Sequence, residues 1–131
     1  MTQRATGPFE VKLKPLAAYD GDAALARMSI DKRFHGGLEA TSVGEMLSAG
    51  DPKGSAGYVA MERVTGALDG RKGSFALMHN ATMTLGAPYM NIVVVPGSGT
   101  AELTGLTGKM NIVIAPGGAH SYEFDYVFDA P

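Results

Sequence analysis

Apolar and polar residues alternate with a period of two along much of this chain. Phe9, Val11 and Leu13 oppose Glu10, Lys12 and Lys14, and near the other end Tyr122, Phe124, Tyr126 and Phe128 oppose Glu123 and Asp125. A strand with one buried and one wetted face produces this pattern. About eight strand-like segments follow one another: "PFEVKLK", "LARMSIDKRFH", "LEATSVGEML", "SAGYVAMERVTGAL", "GSFALMHNATM", "PYMNIVVV", "TGKMNIVIA" and "HSYEFDYVF". Between them stand breakers such as "YDGD", "GDPKGS", "LDGRKG", "TLGAP", "PGSG" and "PGGAH", the punctuation of an antiparallel meander. The only helical opening is "YDGDAALARM", starting at Asp22, and it turns into alternation by Met28 and Ile30. An open sheet of eight strands would expose two hydrogen-bonding edges. Closure removes them, so the expected fold is all-β, a single antiparallel eight-stranded barrel spanning residues 1–131 as one domain.

The glycine-rich stretch "PGSGTAELTGLTGK" raises the one alternative, a phosphate-binding loop. After Gly97 and Gly99 a dinucleotide fingerprint needs glycine at the position of Glu102, and no apolar helical pattern follows. As a P-loop it fails too, since Met110 follows Lys109 where a magnesium-holding hydroxyl belongs. The stretch is expected to form one helical turn capped by Ser98, Gly99 or Thr100, with Glu102 near its positive end. Leu103 and Leu106 then point inward as an end plug, and Gly105 and Gly108 return the chain to a strand.

Composition narrows the partners. With 131 residues there is material for one core, and a net charge of -2 with dispersed basic residues gives no footprint for nucleic acid or an anionic membrane. The absence of cysteine removes disulfides, thiol nucleophiles and thiolate metal sites. The N-terminal run lacks an apolar signal segment and no apolar run nears the roughly 18 residues of a membrane span, so a cytoplasmic location is the expectation.

The segments "ATGPFEVK", "FHGGLEATSVGEMLSAG", "KGSAGYVAMERVTGALDGRKGSFALMHNATM", "VVPGSGTAELTGLTGK" and "HSYEFDY" together resemble a bacterial family catalogued as domain of unknown function 3224. The glycine and hydroxyl pattern of the fourth segment is also similar to the allene oxide cyclase and dirigent barrels. That similarity implies the same eight-stranded barrel, an interior that shapes a hydrophobic reactive substrate, and assembly as a small homo-oligomer, a dimer or trimer. Against the family's usual pattern, Met78 replaces a glutamine before His79 and "PYMNIVVV" is more apolar, which is consistent with a greasier pocket. The eight methionines also suit irregular apolar ligands, and equally serve as ordinary core filling.

Chemistry concentrates in "ERVTGALDGRKGSFALMHN". If Leu68 and Gly73 close a four-residue loop, Glu62 faces His79 directly, on one face with Tyr58, Ala60, Val64, Phe75 and Leu77. Desolvation in that setting is expected to raise the acid's pKa and suit the dyad to general acid–base work; a structural ion pair involving Glu62, Arg63 and His79 is the alternative. His35 is in phase with Asp31 and Arg33 and is expected to face solvent, His120 to sit at a barrel rim, and Glu39, Thr41 and Glu45 to form a solvated stripe. The three histidines have no metal-ligand spacing, and neither metal nor cofactor is expected. Ser74 and Ser98 lack the nucleophile-elbow context.

The expected function is binding of a small apolar or aromatic molecule by Tyr58, Phe75, Leu77, Met78, Met90 and Ile92, with Tyr89 and Asn91 as polar anchors. Both faces of the hairpin are represented in that set, because alternation permits either to be interior. The alternatives are a cofactor-independent isomerase, cyclase or proton-transfer lyase using Glu62 and His79, and a structural oligomerising module.

Overall fold

A computed structural model describes residues 2–17, 25–51 and 53–129. The helical start expected at Asp22 lies outside the described residues. Eight strands follow in chain order: β1 (Gln3–Leu16), β2 (Ala26–Phe34), β3 (Leu38–Gly50), β4 (Ala56–Leu68), β5 (Arg71–Thr84), β6 (Ala87–Val94), β7 (Leu106–Ile114) and β8 (His120–Phe128). Each is antiparallel to the next, and β8 pairs back onto β1 to close a barrel. The architecture is the expected one, consistent with an allene oxide cyclase-like barrel, and closure leaves no unpaired edge strand.

The β4–β5 hairpin differs from expectation in one detail. Leu68 pairs with Arg71, so the loop has two residues, Asp69 and Gly70, at φ 46° and 88°. Asp-Gly supplies the left-handed backbone that a two-residue turn demands, and Arg71 and Lys72 are therefore drawn into the ladder. The shorter loop moves the register by two positions, so that Glu62 pairs with Leu77 and Ala60 with His79. Because side chains alternate with period two, a shift of two keeps Glu62 and His79 on one face, as expected.

The glycine-rich segment closes one end of the barrel. A single turn of 3-10 helix, Ala101–Leu103, carries Leu103 into the interior, and Leu103 and Leu106 are both fully buried. Thr100 holds the N-cap position without capping it. Its hydroxyl serves β5 instead: β6 pairs with β5 only from Leu77 onward, and the loop completes the remaining edge. Thr100 Oγ1 accepts the Ser74 N–H at 3.0 Å, Ser98 Oγ the Ala76 N–H at 3.0 Å, and Glu102 Oε1 the Lys72 N–H at 2.9 Å. The hydroxyls that imitate a phosphate cradle thus satisfy strand donors. Behind this plug Leu38, Leu68, Phe75 and Phe124 pack into a solid core. Among the described residues no helix is long and apolar enough to cross a membrane.

Candidate functional site

Four adjacent strands each deliver one polar side chain to the barrel interior. On β2, Lys32 is in phase with Ile30 and Phe34; on β3, Ser42 with Ala40; on β4, Glu62 with Ala60 and Val64; on β5, His79 with Leu77 and Ala81, and all are buried. The register sets Lys32 opposite Ser42 and Glu62 opposite Gly44. A Cβ at Gly44 would come within 2.1 Å of the Met61 carbonyl oxygen and 2.7 Å of Glu62 Cα, so only glycine allows β3 to lie this close to the acid.

Glu62 is the hub. Its Oε1 accepts the Ser42 hydroxyl at 2.8 Å, and its Oε2 accepts Lys32 Nζ at 2.8 Å. His79 Nε2 lies 2.5 Å from the same Oε2, a close contact between imidazole and carboxylate. The Lys32 ammonium also sits 5.3 Å from the Phe9 ring centroid and 5.7 Å from that of Phe34, within cation–π range. Burial pushes the Glu62 carboxyl up, but contact with His79 and the charge of Lys32 outweigh it and hold the pKa at about 2. This overturns the expectation of a raised acid: desolvation acts as anticipated, yet two basic side chains at contact distance reverse the sign. For Tyr58, burial followed by the charge of Glu62 moves the phenol upward.

This shift carries a stability consequence. A carboxyl held at about 2 against an ordinary 4.5 stabilises the fold fully above pH 4.5 and loses that contribution as pH falls toward 2. About 3 kcal/mol is expected to disappear over that interval, at roughly 1.4 kcal/mol per unit. Urea unfolding of wild type and Glu62→Gln at about pH 5 and at about pH 2 checks it: the gap between them narrows in acid. A pH-independent gap would show that Glu62 is not the titrating group.

Above the cluster, away from the plug, the barrel opens. A cavity of about 200 Å³ is bounded by Phe9, Val11, Ile30, Lys32, Tyr58 and His79 among others. Through Met46, Tyr58 and Met90 it continues into an apolar groove of about 220 Å³ at the mouth, where Ala81, Met83 and Pro88 line the wall. Of the residues expected to bind a ligand, Tyr58 and Met90 are on this cavity. Phe75, Leu77 and Ile92 point inward but are at most 1% exposed and belong to the packed core. Met78 is on the outer face at 41% exposure, since it alternates with Leu77 and His79. Asn91, likewise outward, donates to Asn80 Oδ1 at 3.1 Å, and Tyr89, 57% exposed, reaches only the rim of the groove.

The outward His35 meets Glu10 at 2.8 Å, while His120 lines the cavity with its ring 5.3 Å from Phe9. Lys32 and Ser42 are the residues that sequence reasoning missed. The signal was the alternation that places Lys32 in phase with Phe34, but a lysine on an apolar face ordinarily reads as a register break. Among the described residues no group of three or more His, Cys, Asp or Glu side chains is disposed to hold a metal ion.

Comparison with known proteins bears on the whole barrel. A family model described as "Protein of unknown function (DUF3224)" matches residues 5–126. The crystal structure of a DUF3224-family protein with unknown function from Shewanella oneidensis MR-1 is 50% identical, with 100% of each chain covered and a TM-score of 0.94. No curated protein matches the chain.

Proposed function

The chain belongs to the DUF3224 family, and we propose that it is a binding barrel for a small apolar or aromatic molecule, held in the open half of its lumen. The observation that carries this reading is the cavity itself: apolar walls and a methionine-lined mouth stand over a floor where Lys32 and His79 are buried. Apolar enclosure with a few convergent polar groups is the usual construction of a small-molecule site. Catalysis by Glu62 as a general base at neutral pH is less well supported, because a carboxyl held at about 2 is a weak proton acceptor.

Titration with indole, a compact aromatic probe, is expected to raise the melting temperature by several degrees. Ligand at a hundredfold excess over Kd contributes about 3 kcal/mol to the folded state. Met90→Glu, at a position 41% exposed on the mouth, is expected to remove the shift while leaving the unliganded melting temperature nearly unchanged. No shift with indole or any other apolar aromatic would sink the reading.

A second reading, self-association through the outer sheet face, is favoured by the exposure of Val43, Val59, Met61 and Met78 there. Light scattering on wild type and Met61→Lys separates the two, since a lumen ligand is indifferent to that substitution.

A further inference from the structure

Among the described residues the cavity's polar groups are of one kind. Lys32, Tyr58, His79 and His120 line it, each able to donate a proton, and no described Asp or Glu is among its lining residues. Glu62 lies behind this wall, with its oxygens met by Ser42, Lys32 and His79. An ammonium has three N–H donors. Lys32 uses one on Glu62 and makes no other hydrogen bond among the described residues; its ammonium also stands over the Phe9 and Phe34 rings. His79 Nε2, on a side chain 3% exposed, is already taken up by Glu62, 2.5 Å from its Oε2, so the unused donors are those of Lys32. Donors left without acceptors beside an apolar void are costly, and an occupant that brings an acceptor removes the cost.

Resting on the binding reading above, we propose that the occupant is an amphipathic acid: a carboxylate takes the unused Lys32 protons at the cavity floor, and an aromatic or alkyl tail runs past Met46 and Met90 to the mouth. A carboxylate suits this floor better than a neutral carbonyl because charge-assisted hydrogen bonds are roughly twice as strong. The tail meets Val11, Ile30 and the two thioethers, which adapt to varied apolar shapes. A cation is excluded from the same floor by Lys32.

The experiment compares cinnamate, cinnamyl alcohol and cinnamylamine, three molecules of one shape and different charge, by isothermal calorimetry. Wild type is expected to bind cinnamate about tenfold or more tighter than the alcohol, and the amine not measurably. In the double variant Lys32→Met/Glu62→Met, which removes both charges of the buried Lys32–Glu62 pair, acid and alcohol are expected to bind alike, with alcohol affinity retained within about twofold. Independently of that variant's folding, the NMR resonance of the Lys32 side chain in wild type should move with cinnamate and stay fixed with the alcohol. Equal affinity of wild type for acid and alcohol, a Lys32 resonance indifferent to cinnamate, or persistence of the preference in the double variant overturns the inference and leaves the apolar site standing. Failure of all three molecules to bind overturns both.

Discussion

Replacing Glu62 by methionine is expected to lower the unfolding free energy by about 3–5 kcal/mol, and replacing Lys32 by methionine in the same chain to restore most of it. The single substitution strands the ammonium of Lys32, a side chain 6% exposed, beside two phenyl rings, together with the Ser42 hydroxyl and the His79 Nε2 that had met the acid. Desolvating a charge without its partner costs several kcal/mol, whereas replacing both partners by apolar side chains of similar size removes the penalty and the attraction together. A double-mutant cycle by urea unfolding checks this. A single-variant loss below about 1 kcal/mol, or a double variant no better than the single, would mean that Lys32 is not held by the acid.

Phe124→Ala is expected to be of similar size, about 3–5 kcal/mol, for a different cause. The ring is fully buried at the plugged end and stacks on Phe75 with centroids 5.8 Å apart and an interplanar angle of 11°. Truncation removes both its apolar burial and the stack, and leaves a hole in a core already closed by Leu103 and Leu106. Because Phe124 is not among the residues lining the open cavity, the indole-induced rise in melting temperature should survive the substitution. Loss of that response along with the stability would show that the packed and open halves of the lumen are one unit.

Alternation, breakers and the "PGSG" stretch were enough to expect eight antiparallel strands closing on themselves with an inward leucine plug. That Tyr58, Glu62 and His79 share one face of the β4–β5 hairpin was legible for the same cause and survived a register expected two residues off, but which face turns inward was decided only by the closed barrel. The ligand set was less legible. Phe75, Leu77 and Ile92 have the right phase, but phase does not tell a filled stretch of lumen from an empty one. Met78 and Asn91 have the opposite phase from their inward neighbours and are on the outer surface. The floor of the cavity depends on β2 and β3 as much as on β4 and β5, and Lys32 reaches Glu62 across 30 positions of chain.

The sequence alone thus determined which side of each strand is apolar, where the chain turns, and that glycine and hydroxyls near position 100 are structural, because these follow from local sterics and a two-residue period. Only the tertiary structure decided how far the lumen is filled, which side chains from distant strands converge on Glu62, and in which direction its acidity moves. Those properties are sums over neighbours brought together by closure of the barrel, and no window of sequence contains them.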